Sequence, residues 1–340
     1  MRVSLQDALV VRGQAMSLFD KDPLVRSVGI TIQDDSHALR IVRAVGTVPF
    51  VAARAVRGPQ ELERVPLVWV DRDMDISPLV RLPGRGPGSP SVESVVPEQG
   101  RRRPLVCGLQ IENWDEDHRS EDIPLGFILV CTLGCFVRTA SGRVAALSNG
   151  HTLAGLNRAV RGRDRVLQPG GLAYAGSEQI GRLANYVGLE PSPRGTTPAM
   201  DVARLNVLDA AVIELDPDVK YTQAFLPARG LPPPTGTARP AVGERVYKVG
   251  RTTGLTRGVV ADVDTVMGPL NYEIGECWFQ RSFSVTGIEG TMFADRGDSG
   301  AAVLREATGE VLGLVYAGNG YDTYVCPIHE VLQALGGVLV

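Results

Sequence analysis

The stretch FVRTASGRVAALSNGH, residues 136–151, decides how this chain folds. Two short runs, Phe136 to Ala140 and Arg143 to Leu147, flank Ser141-Gly142, a pair suited to a two-residue hairpin turn. The second run leads straight into Asn149-Gly150-His151 and then a helical turn at Thr152 to Gly155, so an imidazole stands at a strand end. A barrel can hold a side chain rigidly over a cleft from that place. Outward from this hairpin, further strands are expected at Ala210 to Leu215, Arg245 to Val249, Gly258 to Val263, Cys277 to Val285, Ala301 to Leu304, Val311 to Tyr316 and Thr323 to Cys326. Such even spacing predicts an all-β barrel or sandwich. The proline-rich stretch Leu226 to Gly243 divides the region in two. Ile328, Val331, Leu332 and Leu335 recur at helical spacing and predict a terminal helix.

The first hundred residues read differently. Ser4 is a plausible N-cap for a helix carrying Leu5, Leu9, Met16 and Phe19 on one face. Val25 to Ile32 and Ala38 to Val45 read as a hairpin, followed by a helical stretch near Gln60 to Glu63 and a strand at Leu67 to Val70. This predicts a small α+β domain over residues 1–80. The segment 81–103 is crowded with Pro, Gly, Ser and Arg and reads as a linker. Asp71, Asp73 and Asp75 alternate as in a calcium loop, but Ile76 and Leu82 stand where that loop needs glycine and glutamate, so a solvated strand end is expected.

Bulk composition sets limits. The chain has 340 residues, 44% of them hydrophobic and 21% charged, as in an ordinary globular protein too long for one small core. A net charge of -3 gives no reason to expect nucleic acid or an anionic membrane as the main partner. The basic runs Arg101-Arg102-Arg103 and 158–165 read as solvated loops. No run approaches the roughly 18 apolar residues that span a bilayer, and the N-terminus lacks the pattern of a signal peptide. The five cysteines, at 107, 131, 135, 277 and 326, lack metal-ligand spacing and are read as small buried groups. Together these features point to a reducing, cytoplasmic setting.

The chemistry converges on Ser299, in Gly297-Asp298-Ser299-Gly300. A serine hydroxyl is a poor nucleophile until a base takes its proton. The flanking glycines allow a sharp turn that aims the N–H groups of Gly297 and Ser299 at one point, where a growing oxyanion can sit. The base must be imidazole-like, and there are four histidines. His37 lies beside a turn, His118 in an acidic loop and His329 on the terminal helix, all read as surface or packing residues. His151 remains. Its orienting carboxylate is Asp209, which precedes the apolar strand Ala210-Ala211-Val212-Ile213; Asp201 is the rival. An acid entering an apolar strand is costly to bury unless paired. The order His, Asp, Ser places two members in the first lobe and the nucleophile in the second, as a cleft between lobes requires.

Leu147-Ser148-Asn149-Gly150-His151, Leu208-Asp209-Ala210-Ala211 and Gly297-Asp298-Ser299-Gly300 resemble the three triad blocks of trypsin-like serine peptidases, in chain order. Val249-Gly250-Arg251-Thr252-Thr253-Gly254-Leu255-Thr256 is similar to a strand and turn of the second barrel in bacterial members. Leu24 to Ile30, Thr132 to Cys135 and Val166 to Gly170 extend the resemblance over roughly residues 20 to 340. It implies a mainly β fold of two antiparallel Greek-key barrels, about 104–226 and 244–326, with a C-terminal helix at 327–337. It implies a serine endopeptidase working through an acyl-enzyme on a protein or peptide, without cofactor or metal. Phe293 stands where trypsin carries its selecting acid, and Tyr316, Ala317 and Gly318 are the other expected pocket residues. Asp298 is expected to bond within its own loop, since nothing marks an activating cut. Gly150, in place of the usual Ala or Asn, is expected to relax the backbone before the base. The alternatives are a silent or latent protease-fold protein that binds a partner through its N-terminal domain, and an esterase using the same triad.

Overall fold

The structure is a computed structural model, and it describes residues 2–47, 59–79, 82–83, 96–115, 127–170, 176–193, 195–198 and 205–340. His118 and Asp201 lie outside these residues.

The chain opens with α1 (Leu5–Ala15), whose Ser4 and Asp7 form a reciprocal capping box. Its buried face is Ala8, Val11 and Ala15, not the expected Leu5 face; Leu5 is 47% exposed. Met16 and Phe19 are buried, but a second turn, α2 (Leu18–Lys21), redirects the chain between them. The helices cover a sheet of β1 (Val25–Gln33), β2 (Ser36–Ala44), β3 (Glu61–Leu62) and β4 (Val65–Arg72). The helix expected near Gln60 to Glu63 is instead the tight hairpin β3–β4, with Glu63 and Arg64 at positive φ.

Two short strands follow, β5 (Ser77–Pro78) and β6 (Leu82–Pro83). Where the expected linker is described, Glu98 is buried against Arg229, while Arg101 and Arg102 are exposed and Arg101 and Arg103 pair with the half-exposed Glu178.

The first barrel uses β7 (Gln110–Asn113), β9 (Val130–Thr132), β10 (Cys135–Arg138), β11 (Val144–Ser148), the short helix α3 (Gly150–Leu153), β12 (Arg165–Gln168), β13 (Glu178–Tyr186) and β14 (Ala211–Leu215), while β8 (Phe127–Ile128) pairs with β6 in a separate two-stranded sheet. Hydrogen bonding runs β10–β11–β14–β13–β12–β7–β9, and only Leu133-Gly134 separates β9 from β10, so the sheet curls onto itself. The hairpin at Ser141-Gly142 forms as its sequence dictates, with Gly142 at φ +81°.

The second barrel comprises β15 (Gly236–Thr237), β16 (Arg245–Gly250), β17 (Gly254–Tyr272), β18 (Gly275–Gly287), β19 (Ala302–Arg305), β20 (Glu310–Gly318) and β21 (Asp322–Pro327). The order β16–β19–β20–β21–β18–β17 closes because β17 also pairs with β16. Then come α4 (Ile328–Leu335) and β22 (Val338–Leu339), which returns to pair with β10. The fold is the expected two-barrel one. All five cysteines are free and buried. No helix among the described residues is long and apolar enough to cross a membrane.

The N-terminal unit is not set apart from the barrels. Its β1 pairs antiparallel with β17 (Ser27 opposite Met267, Val28 opposite Val266), so its sheet continues that of the second barrel. Arg40 is buried between Asp262 at 2.8 Å and Asp322 at 2.7 Å, and Arg72 reaches Asp322 at 2.7 Å. Asp75, at the end of the acidic alternation, binds Arg26 through both oxygens.

Candidate active site

β11 delivers His151 through Asn149 into α3, and β14 begins two residues after Asp209. The two side chains meet, both buried: His151 Nδ1 is hydrogen-bonded to Asp209 Oδ2. With an ionised carboxylate as partner, Nδ1 carries the proton and Nε2 is left as an acceptor. Asp209 Oδ1 accepts the backbone N–H groups of Gly150 and His151, each at 2.7 Å. The Tyr272 hydroxyl, at the tip of the β17–β18 hairpin, donates to Oδ2 at 3.4 Å. This pairing offsets the cost of burying a carboxyl group. It also fixes the imidazole against rotation. Gly150 sits close against this carboxylate: a Cβ on it would lie 3.1 Å from Asp209 Oδ1.

The Ser299 loop is stitched to the first barrel. Thr132 N–H donates to Ser299 O at 2.8 Å, and Thr132 Oγ1 donates to Gly297 O at 2.9 Å. Ser148 Oγ in turn donates to Thr132 O at 2.7 Å. Gly297 and Gly300 take φ values of +94° and +87°. A Cβ on Gly300 would stand 2.1 Å from Ser148 Oγ, so the loop packs directly against the strand end that carries His151.

Asp298 reaches further than its own loop. It accepts the Asp295 N–H at 3.1 Å within the loop, as expected, but also Thr252 N–H at 2.8 Å and the Thr253 hydroxyl at 2.7 Å. Lys248 Nζ lies 3.1 Å from its Oδ2, and both side chains are wholly buried. Burial pulls the Lys248 pKa below that of an ordinary lysine, while Asp298 pulls it back up. Sequence reading missed Lys248. The signal was available: a lone charge inside the apolar strand Val246-Tyr247-Lys248-Val249 demands a buried partner.

The cleft is filled by the protein's own chain. Ser299 Oγ donates to the backbone carbonyl of Leu79 at 3.1 Å, and Gly297 N–H donates to the same oxygen at 3.3 Å. His151 Nε2 is buried with no hydrogen-bond partner. Thus His151 and Asp209 are joined, while the serine hydroxyl is turned toward Leu79 rather than toward the ring. The side chain of Leu79 belongs to a buried cluster with Phe293, Ala294 and Val315. Ala317 and Gly318 pair through their backbones with Pro78 and Ser77, and Leu79 N–H donates to Tyr316 O at 3.4 Å. The Tyr316 ring points away from this contact, its hydroxyl 2.7 Å from Ser282 Oγ. His37 bonds Val3 O and His329 faces Thr237, so the contacts of both rings lie outside this cluster. Among the described residues no group of His, Cys, Asp or Glu side chains is arranged to hold a metal ion.

No protein-family model matches the chain, and no curated protein matches it. Solved structures similar to it include a Nocardiopsis protease (17% identity, 69% of this chain and 98% of that one, TM-score 0.46). Others are a Cellulomonas bogoriensis chymotrypsin (20%, 62% and 90%, TM-score 0.41) and protease A of Thermobifida fusca (20%, 62% and 92%, TM-score 0.43).

Proposed function

We propose that the protein is a serine endopeptidase in which His151, Asp209 and Ser299 act together. The observation that carries this reading is the pairing of a buried, fixed His151–Asp209 couple with an unpartnered Nε2, beside a serine whose neighbour Gly297 already donates to a peptide carbonyl. For proton transfer to begin, the hydroxyl at 299 must leave that carbonyl and reach Nε2. His151 then deprotonates Ser299 as it attacks, and returns the proton to the leaving amine. Asp209 stabilises the imidazolium. The N–H of Gly297, joined by that of Ser299, holds the oxyanion. The Leu79 side chain, lying with Phe293 and Ala294, supports an apolar residue of leucine size as the preferred acyl-side group.

The occupied cleft favours a second reading, a latent form of the same enzyme that opens when residues 77–79 leave. A fluorophosphonate probe separates these from a silent binding protein. It should label the chain, faster when Leu79→Arg expels the segment, and leave Ser299→Ala unlabelled. A folded Leu79→Arg protein that resists the probe would overturn the enzymatic reading.

A further inference from the structure

Residues 77–79 lie across the cleft as the acyl half of a peptide substrate. Ser77 and Pro78 pair antiparallel with Gly318 and Ala317. The Leu79 N–H donates to Tyr316 O, its carbonyl faces Gly297 N–H and the Ser299 hydroxyl, and the residue is only 4% exposed. Further along, Leu82 and Pro83 pair antiparallel with Ile128 and Phe127. The chain is therefore gripped by backbone pairing on both sides of one carbonyl, and that carbonyl is the one touching the nucleophile. Asp75 anchors the approach through Arg26. A segment that merely crossed the surface would have no need of an N–H and a hydroxyl converging on a single backbone oxygen.

We propose that the protein cuts its own chain in cis on the carboxyl side of Leu79, and that fragments 1–79 and 80–340 stay assembled; this rests on the serine-peptidase reading above. Ser299 Oγ bonds to the Leu79 carbonyl carbon while His151 Nε2 takes the hydroxyl proton. The C–N bond to Val80 breaks, and the proton passes to the Val80 nitrogen. Water then adds to the ester carbon, giving one proton through His151 to Ser299 Oγ. The products are a carboxylate at Leu79 and a free amine at Val80. Because the carbonyl is already placed, the step is unimolecular. Assembly survives because β1 remains paired with β17, Arg40 remains between Asp262 and Asp322, and Phe19 packs edge-on against Trp278 with ring centroids 5.1 Å apart.

Intact-mass and N-terminal analysis of the purified full chain tests this. Wild type is expected to yield 1–79 and a fragment beginning at Val80, eluting together on gel filtration. The rate should not change over a hundredfold range of protein concentration. Ser299→Ala is expected to stay whole, even when mixed with wild type. Leu79→Arg should also stay whole yet hydrolyse an added leucyl anilide peptide; Leu79→Ala serves if the arginine variant does not fold. If wild type remains uncut while either Leu79 variant hydrolyses the peptide, self-cleavage is refuted and the peptidase reading stands. If wild type is uncut and no folded variant hydrolyses anything, both fall. Cleavage of Ser299→Ala by added wild type would refute the cis route.

Discussion

The ammonium of Lys248 stands 3.1 Å from Oδ2 of Asp298, and neither side chain touches solvent. This supports the residue between Gly297 and Ser299 from behind, so the loop that carries Gly297 and Ser299 is held by an internal ion pair. Thr252 and Thr253 complete the shell with further hydrogen bonds.

Removing the cation alone leaves the buried Asp298 carboxylate without its counter-charge, which costs on the order of 3–5 kcal/mol. Lys248→Met is therefore expected to lower the thermal midpoint. It should also lower kcat by roughly 10²- to 10³-fold, the usual effect of a lost oxyanion donor, with KM changing far less. Calorimetry beside steady-state kinetics reads both effects. An unchanged kcat in a destabilised protein would mean that Lys248 supports the fold but not the loop geometry.

Asp209→Asn keeps the shape but has one oxygen, and if that oxygen keeps the two backbone N–H groups now at Oδ1, the amide N–H faces the ring in place of Oδ2. The imidazole then loses its preferred tautomer. Turnover is expected to fall by about 10⁴-fold. His151 NMR should report the change: the ring's downfield Nδ1 proton, present in wild type, should disappear.

Gly300→Ala places a Cβ 2.1 Å from Ser148 Oγ at a φ of +87°. Overpacking of this kind typically costs about 1–3 kcal/mol. The strain falls on the contact between the Ser299 loop and the strand end that carries His151. Labelling of Ser299 by a fluorophosphonate should slow even at temperatures where the variant remains folded.

Acid should weaken the attachment of the N-terminal unit. Burial, the largest single influence on Asp322, pushes its pKa up, but Arg40 and Arg72 together outweigh it and leave the carboxyl below its ordinary 3.8. A carboxyl with a depressed folded pKa contributes stability that is fully present above 3.8 and is lost as pH falls through the folded value. Hydrogen exchange in β1 and β2 should therefore accelerate below that pH. Arg40→Leu is expected to flatten the dependence while destabilising the sheet.

Much of this was legible in the residues. The Ser141-Gly142 hairpin and the strands around Ala210, Ala301 and Val311 carry local turn chemistry and apolar runs, which act within a few residues. Ser4 marked the first helix, but its face was misjudged, because Ala8, Val11 and Ala15 face the sheet while Leu5 stays exposed. The β3–β4 hairpin was missed because Glu63 and Arg64 take positive φ without a glycine to announce it. Pairing between β1 and β17 was beyond reach. A buried strand declares that its faces are covered, not which edge supplies its hydrogen bonds. Leu79 left no sign as a cleft occupant, since a leucine near prolines has many uses until its carbonyl is seen beside Ser299.

The most direct test compares hydrolysis of a leucyl anilide peptide by His151→Ala, Ser299→Ala and the double variant, each in the Leu79→Arg chain. Residues that act as one unit are strongly non-additive, so all three should fall to the same low residual rate, with the double variant no slower than either single one. Hydrolysis by Ser299→Ala at the parent rate, or losses that simply multiply in the double variant, would contradict the claim that these side chains form one catalytic group.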